Sequence, residues 1–274
     1  PVLAKIEKPE ALTDLAGILD VADGIMVARG DLGVELGHER VPLAQKRIIK
    51  ATLPLARPVI TATQMLESMI TNETPTRAEV SDVANAVLDG TDAVMLSAET
   101  SVGSHPVKAV ETMARIIEEV ERDGECESRA GNPHVTEGSY SAVVAEAMCA
   151  AARMHDLAAL AIYTESGRSA ALVAAERPDV PVIAFTRHES SRRRLALVWG
   201  ICPLHGDWVS GVPGVVAQAE RELVDYGLVK PGDDIAISFG MRLGDEPFQT
   251  NMLKLWCVRQ DSSGPLDIIS EVPV

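Results

Sequence analysis

The sequence predicts an α/β protein of two domains in which helices connect parallel strands. Short apolar runs alternate four times with amphipathic stretches before Glu121, and a second alternating series begins near Ser139. Strands of about five apolar residues separated by helices of about 10–15 residues are typical of parallel sheets with crossover helices. Residues 123–138 are charged or small and include three glycines, which predicts a linker. The predicted domains are therefore 1–122 and 139–274.

The first predicted domain contains four strands, each followed by a helix. The strands are expected at 2–6, 25–28, 58–62 and 93–96, and the helices at 10–19, 41–55, 77–88 and 106–121. In the third helix, Val80, Val83 and Val87 recur at helical spacing. Four such units fit either a doubly wound sheet or part of a (β/α)8 barrel. No strand is followed by a G-x-G-x-x-G motif, which disfavours a dinucleotide-binding sheet.

The second predicted domain is a separate α/β unit with a mostly parallel sheet. Its helices are expected at 139–154, 168–176, 191–199 and 213–226, and its strands at 158–163, 182–186, 202–204, 234–239 and 252–258. The stretch 240–246 between the last two strands contains two glycines and predicts an exposed loop.

The charge and composition of the chain exclude several classes of partner. A formal net charge of −15 over 274 residues disfavours binding to nucleic acid or to anionic lipid. No apolar run reaches the roughly 20 residues that a membrane span needs, so no membrane partner is expected. The four cysteines form no C-x-x-C pair, which predicts reduced thiols and a cytoplasmic location. The basic run 192–194 is interpreted as a solvated helix face, with an anion site as the alternative.

Polar side chains stand at the end of each of the first four strands. Lys5 and Glu7 are two residues apart, so they lie on one face of the first strand. Taken alone, this pair favours a structural ion pair over a catalytic site. Gly30 and Asp31 follow the second strand, where Asp31 is either a helix cap or a metal ligand.

The third strand ends at Thr63, and the fourth strand leads into Ser97 and Glu99. Each of these groups on its own is explained equally well by capping of the next helix. Together they favour the carboxyl-terminal edge of a barrel, where such enzymes build their active sites. The combination suits phosphoryl transfer or enolate chemistry on a carboxylate substrate.

Longer segments resemble the pyruvate kinase family. The segments are Lys5-Ile6-Glu7, GIMVARGDLG at 24–33, ATQMLESM at 62–69 and PTRAEVSDVANAVLD at 75–89. The resemblance extends through the second domain and covers essentially the whole chain. It implies the last four units of a (β/α)8 TIM barrel followed by the family's C-terminal α/β domain. The implied reaction is transfer of a phosphoryl group from phosphoenolpyruvate to ADP, giving pyruvate and ATP in glycolysis.

The resemblance also implies roles for individual residues. Lys5 is the catalytic lysine, and Glu7 and Asp31 hold Mg²⁺ or Mn²⁺. Thr63 contacts the substrate near its methylene carbon. The residues implied to lie beside pyruvate are Ala28, Arg29, Gly30 and Asp31. Ser97 and Glu99 are implied to deliver a proton. Arg77 is implied to form subunit contacts in a homo-oligomer, which is a tetramer in the family.

The segment 164–169 of the second domain could cradle a phosphate or could be a simple capped turn. It resembles the sugar-phosphate effector loop of allosteric pyruvate kinases. The residues implied to bind the effector are Thr164, Ser166, Gly167, Arg168, Ser169 and Arg242. Glu165 stands where the family often has Lys, which makes fructose bisphosphate a doubtful effector.

The resemblance assigns four of the eight barrel strands to this chain. The ligands of K⁺ and most of the nucleotide site would lie in the other half of the barrel. Three origins are considered: part of a longer enzyme, a fragment that pairs with another half barrel, or a relative without kinase activity. The isolated chain is not expected to be a monomer, because a half barrel exposes two strand edges. Two other functions remain open, a metal-dependent aldolase or lyase acting on pyruvate enolate and a non-catalytic small-anion-binding module.

Overall fold

A computed structural model describes residues 1–122, 139–207, 209, 211–241 and 249–260. The described residues form two compact units, the first containing 1–122 with 197–199 and the second containing the others. The predicted linker 123–138, the effector residue Arg242 and most of the loop predicted at 240–246 lie outside the described residues. Within the described ranges, every helix is too short or too polar to span a bilayer.

The first unit follows the predicted alternation of strands and helices. Its elements are β1 (Leu3–Ile6), α1 (Pro9–Thr13), α2 (Leu15–Val21), β2 (Gly24–Ala28), α3 (Arg29–Leu36), α4 (Val41–Thr52), β3 (Val59–Ala62), α5 (Arg77–Leu88), β4 (Ala93–Met95), α6 (Ala98–Ser101) and α7 (Pro106–Arg122), with short 3-10 turns at His38–Arg40, Leu53–Leu55 and Glu67–Ile70.

The four strands form one parallel sheet in the order β1-β2-β3-β4. Lys5 of β1 pairs with Met26 of β2, and Ala28 of β2 pairs with Ala62 of β3. Buried aliphatic side chains such as Ile25 and Val27 pack the sheet against its helices. Because the strands are parallel and in close register, their carboxyl ends and the residues that follow lie along one edge.

Several elements of the first unit differ from the sequence prediction, among them α6, which was not predicted. The helix expected at 10–19 is broken at Asp14, whose backbone is non-helical with φ −107° and ψ 32°. The helix expected at 41–55 ends at Thr52, because Pro54 has no N–H to continue the α-helical pattern and a 3-10 turn takes over. Helix α3 follows β2 without a loop and was predicted only as a helical start.

The second unit contains four helices and five strands in the described ranges. They are α8 (Tyr140–Met154), β5 (Leu157–Tyr163), α9 (Arg168–Ala175), β6 (Val182–Thr186), α10 (Glu189–Leu195), β7 (Ile201–His205), α11 (Gly211–Asp225), β8 (Asp234–Phe239) and β9 (Met252–Cys257). The strand order is β7-β6-β5-β8-β9, and β9 alone is antiparallel. The predicted mostly parallel sheet is therefore confirmed.

Helix α10 carries the basic run that the sequence left open. Arg192 and Arg193 both pair with Glu189 one turn earlier, at 2.7 and 2.8 Å. Hydrogen bonds from Arg192 and then Arg193 lower the pKa of Glu189 to about 2. These contacts support the solvated-face interpretation for Arg192 and Arg193, whereas Arg194 donates to the Ser166 carbonyl at 3.2 Å.

A buried ion pair fastens α11 to the end of β9. The side chain of Glu220 is 0% exposed and accepts hydrogen bonds from Arg259 Nε and Nη2 at 2.8 and 2.6 Å. It also accepts from the Arg259 backbone N–H and from the indole of Trp256. Burial alone would raise the pKa of Glu220, but the hydrogen bonds from Arg259 and Trp256 outweigh it and the pKa is lowered.

We expect Glu220→Gln to lower the free energy of unfolding by about 3 kcal/mol at pH 7, because it leaves the partly buried Arg259 without its counter-charge. A pKa that is lower in the folded state contributes stability above the unfolded-state pKa, and that contribution is lost as pH falls through the folded-state value. The difference between wild type and variant should therefore shrink below about pH 4.5, the ordinary pKa of a Glu. Urea unfolding followed by circular dichroism at several pH values measures this difference. Glu146→Gln, on the exposed face of α8, is the control, and an equal effect of both variants would contradict the assignment.

Candidate active site

One ammonium group joins two carboxylates at the carboxyl edge of the first sheet. Lys5 Nζ lies 2.8 Å from Asp31 Oδ2 and also contacts Glu7 Oε2. Lys5 lies in β1, Glu7 follows the end of that strand, and Asp31 is in the first turn of α3 directly after β2. The parallel pairing of β1 with β2 brings the three side chains together.

The charges of this cluster shift the pKa of Lys5 and of Asp31. Hydrogen bonds to Asp31 and then to Glu7 raise the pKa of Lys5 above its usual range. The same contact with Lys5 lowers the pKa of Asp31. All three side chains are partly exposed, so the carboxylate oxygens of Glu7 and Asp31 remain accessible to a ligand. The cluster therefore combines one basic side chain with two acidic ones.

The donor set fits a hard divalent cation that takes most of its ligands from elsewhere. Within the residues that the structure describes, no group of three or more His, Cys, Asp or Glu is arranged to hold a metal ion. Glu7 and Asp31 supply two carboxylates, and Mg²⁺ typically takes one or two carboxylates and completes its octahedron with water and substrate oxygens. Both carboxylates direct an oxygen at Lys5 Nζ.

Thr63 follows β3 and lies beside the start of α3. Its hydroxyl accepts a hydrogen bond from the Gly30 N–H at 2.8 Å and donates one to the Ala62 carbonyl at 2.6 Å. A Cβ at position 30 would lie 3.4 Å from Thr63 Oγ1, an ordinary van der Waals distance. Thr63 and Gln64 both have positive φ, 70° and 55°, which costs about 1 kcal/mol or more for each non-glycine residue.

Arg29 was predicted to lie beside the substrate but is almost fully buried. It is 6% exposed, and its guanidinium donates to the carbonyls of Thr63 and Gln64 and to Asp82 Oδ1 of α5. Ala28 is also fully buried, at 0%. Of the four residues predicted around the substrate, Gly30 and Asp31 are therefore the ones that remain open at the edge of the sheet.

Ser97 and Glu99 follow β4, and Glu99 is buried. Glu99 is 2% exposed and accepts hydrogen bonds from the Ser97 N–H at 2.7 Å and from the Leu66 N–H at 3.1 Å. Its carboxylate therefore joins the segment after β3 to the segment after β4. The side chain of Glu99 holds backbone groups, whereas Ser97 is only half-buried.

Two family models match the chain, one for each unit. The model "Pyruvate kinase, barrel domain" matches residues 1–110, and "Pyruvate kinase, alpha/beta domain" matches residues 142–256. The chain belongs to the pyruvate kinase family. The predicted fold class, four barrel units followed by an α/β domain, is confirmed by these matches and by the two sheets.

Individual pyruvate kinases share between a third and a half of the aligned residues. The enzyme of Clostridium acetobutylicum is 42% identical over 261 residues, covering 94% of this chain and 54% of its own length. That of Geobacillus stearothermophilus is 45% identical over 257 residues, covering 93% and 43%. A crystal structure of a pyruvate kinase from Cryptosporidium parvum superposes with a TM-score of 0.86 at 34% identity and covers 93% of this chain and 51% of that one. The chain thus spans about half the length of the pyruvate kinases it matches.

The predicted effector residues Thr164, Ser166 and Gly167 lie in the turn between β5 and α9, and Arg168 and Ser169 begin α9. Thr164 Oγ1 accepts from the Gly167 N–H at 3.1 Å, and Ser166 Oγ accepts weakly from the Arg168 N–H at 3.4 Å. Ser169 shares a hydrogen bond of 2.5 Å with the hydroxyl of Thr250. Gly167 has φ +87°, a conformation that other residues rarely adopt. The turn is therefore stabilised by its own hydroxyl groups.

A cavity of about 300 Å³ opens at the carboxyl edge of the second sheet, beside this turn. Thr164 and Glu165 line it, but residues 166–169 do not. Its floor is apolar and includes Tyr163, whose ring stacks on that of Phe185 at a centroid distance of 4.9 Å. At its rim, Glu165 Oε1 pairs with Arg187 Nη2 at 2.6 Å.

Two charged residues at these sites were absent from the sequence prediction. Asp82, which pairs with Arg29, lies in the segment PTRAEVSDVANAVLD that carried the family resemblance. Arg187 directly follows β6, so the strand-end rule used for the first sheet would have found it. The sequence contains no signal that shows which residue Asp82 or Arg187 pairs with.

We expect Glu99→Gln to destabilise the protein by about 1–3 kcal/mol, because an amide offers one accepting oxygen where the carboxylate serves two backbone N–H groups. Glu118→Gln, on an exposed part of α7, is the matched control and should be close to neutral. Thermal unfolding measures both. Equal stability of the two variants would show that the Glu99 contacts are not needed to hold the segments after β3 and β4.

Proposed function

We propose that the protein acts as a pyruvate kinase and that the first sheet carries its phosphoryl-transfer site. The observation that carries this proposal is the contact of one lysine, Lys5, with two carboxylates, Glu7 and Asp31, at the carboxyl edge of a parallel sheet. The family relationship supports the reaction, phosphoenolpyruvate plus ADP giving pyruvate plus ATP. We further propose the domain limits 1–122 and 139–274.

The reaction breaks the bond between phosphorus and the enol oxygen and forms a bond from that phosphorus to an oxygen atom of the terminal phosphate of ADP. Lys5 would neutralise the charge that develops on the transferring phosphoryl group and on the enolate oxygen. Such stabilisation is effective because the ammonium is already held in place by Glu7 and Asp31 before substrate arrives. Glu7 and Asp31 would therefore orient the Lys5 ammonium that stabilises the developing negative charge.

Glu7 and Asp31 would hold Mg²⁺ or Mn²⁺, and a bound divalent ion supplies Lewis-acid polarisation of phosphoryl and enolate oxygens. The substrate carboxylate would meet the backbone N–H groups of Gly30 and Asp31 at the start of α3, where unsatisfied N–H groups favour anions. The Gly30 N–H donates to the Thr63 hydroxyl, so a carboxylate would share or replace that bond.

The enol product becomes pyruvate when its methylene carbon takes a proton. Thr63 and Ser97 supply hydroxyl groups near the open edge, and we propose that they belong to the proton path. Glu99 would act within this network by holding the Ser97 backbone, since both of its oxygens accept backbone N–H groups.

The remaining predicted partners follow from the family relationship alone. We propose ADP and ATP as nucleotides, K⁺ as a second cation, a homo-oligomer in which Arg77 forms subunit contacts, and a cytoplasmic location. The alternative of a pyruvate-enolate aldolase or lyase is disfavoured, because the matched relatives are named pyruvate kinases.

We also propose that the second unit binds a small anionic effector. The cavity beside Thr164 supports this proposal, because it lies at the carboxyl ends of parallel strands, where α/β sheets bind ligands. The pairing of Glu165 with Arg187 offsets part of the negative charge that the sequence placed in this loop. Glu165 nevertheless keeps the rim of the cavity less favourable to a phosphate than a lysine would.

Lys5→Met in the full-length polypeptide should lower kcat for pyruvate formation from phosphoenolpyruvate and ADP by about a thousandfold, the scale of losing one electrostatic stabiliser. Lys8→Met, three residues further along the chain than Lys5, is the matched control, since it breaks an exposed ion pair with Glu35. A coupled assay with Mg²⁺ and K⁺ measures both. Similar losses in the two variants would exclude Lys5 as the catalytic cation.

Glu165→Gln should strengthen the binding of fructose 1,6-bisphosphate or inorganic phosphate about fivefold, because two unit charges about 4 Å apart in water interact by about 1 kcal/mol. Calorimetric titration measures this change, with Asp225→Asn at the distant end of α11 as the control. Equal affinity of wild type and Glu165→Gln for both ligands would place the anion site elsewhere.

A further inference from the structure

The turn after β3 adopts a conformation that its own residues disfavour. Thr63 and Gln64 are consecutive, neither is glycine, and both have positive φ. A β-branched residue such as Thr rarely occupies this region. Such conformations persist where the surrounding structure over-determines them, and they concentrate at functional sites.

The buried guanidinium of Arg29 holds this turn from inside the unit. Nε and Nη2 of Arg29 donate to the Thr63 carbonyl at 3.2 and 2.8 Å, and Nη2 also donates to the Gln64 carbonyl at 3.1 Å. Nη1 pairs with Asp82 Oδ1 of α5 at 2.7 Å. Each guanidinium nitrogen therefore has an acceptor within the chain, and the side chain is too buried to meet a substrate directly.

The next residue along the chain holds the same threonine from its other side. The Gly30 N–H donates to Thr63 Oγ1 at 2.8 Å. Arg29 and Gly30 thus fix both the carbonyl and the hydroxyl of Thr63. Gly30 directly precedes Asp31, so the Thr63 hydroxyl is set next to the Lys5 cluster.

We propose that Arg29 is a positioning residue that acts through Thr63, with Asp82 anchoring its guanidinium. This inference rests on the proposed function of the first sheet's edge. The rate of the chemical step would then depend partly on the buried guanidinium of Arg29, which touches no substrate atom. A purely structural Arg29 would affect stability without acting specifically through Thr63.

The variants for the test are Arg29→Lys, Thr63→Ala and their combination, made in the full-length polypeptide. Lysine keeps the positive charge for Asp82 but cannot bond both carbonyls in the fork geometry of a guanidinium. Arg115→Lys is the matched control, because Arg115 bonds a hydroxyl one turn away on α7. Thr63→Ser keeps the hydroxyl and should retain most of the activity that Thr63→Ala loses.

The first readout is hydrogen exchange of the Gly30 amide by NMR, which needs no catalysis. This N–H is in the first turn of α3, where no intrahelical acceptor exists, so its protection depends on Thr63 Oγ1. Arg29→Lys and Thr63→Ala should each speed its exchange by about tenfold or more, and Arg115→Lys should leave it unchanged. Wild-type protection in Arg29→Lys would overturn the proposal.

The second readout is kcat at saturating phosphoenolpyruvate. Arg29→Lys should lower kcat about tenfold or more with a smaller change in KM, and the double variant should be little worse than Thr63→Ala alone. Losses that multiply in the double variant would overturn the proposal. If wild type itself makes no pyruvate, the proposed function fails, and the Gly30 amide still decides whether Arg29 positions Thr63. If Arg29→Lys does not fold, Asp82→Asn takes its place in both readouts, with the same expected and contradicting results.

Discussion

The contact of Lys5 with Glu7 and Asp31 holds together the three charged side chains of the proposed active site. Two carboxylates that lie this close repel each other unless a cation stands between them. Lys5 supplies that cation, and the raised pKa of Lys5 and lowered pKa of Asp31 record the mutual stabilisation. The arrangement is possible because Lys5 lies in β1 and Asp31 follows β2, and these neighbouring parallel strands end at one edge. A divalent cation and a phosphorylated substrate would meet a site whose charges already face each other.

Buried charged groups support this edge from below. Glu99 uses its carboxylate to hold the backbone of Leu66 and Ser97, and Arg29 uses its guanidinium to hold the turn at Thr63. Each is almost fully buried and each has partners that satisfy it. Segments that follow strands have no ladder hydrogen bonds of their own, so bonds from buried ionic groups are an effective way to fix them. The exposed residues at the edge would thereby keep their positions when substrate binds.

The sequence predicted the fold well because the signals that define it are local. Short apolar strands alternate with amphipathic helices along the chain, and this alternation is visible in the sequence. The polar residues at or after the strand ends, Lys5, Asp31, Thr63 and Ser97, are visible in the sequence as well. The sequence predicted side-chain positions less well where long-range tertiary contacts determine them. Arg29 was expected beside the substrate because it stands in a strand-end motif, yet it turns inward to carbonyls 34 and 35 residues away. The burial of Glu99 and the left-handed turn at Thr63 depend on the same long-range contacts. No periodicity in the sequence encodes them.

Mn²⁺ binding followed by electron paramagnetic resonance, in the presence of phosphoenolpyruvate, tests whether Glu7 and Asp31 hold the divalent ion. We expect Glu7→Gln and Asp31→Asn each to weaken Mn²⁺ binding by about tenfold or more. Glu35→Gln, which removes an exposed carboxylate on the same helix as Asp31, should leave the affinity unchanged. Unchanged Mn²⁺ affinity in both Glu7→Gln and Asp31→Asn would contradict the assignment of this edge as the metal and substrate site.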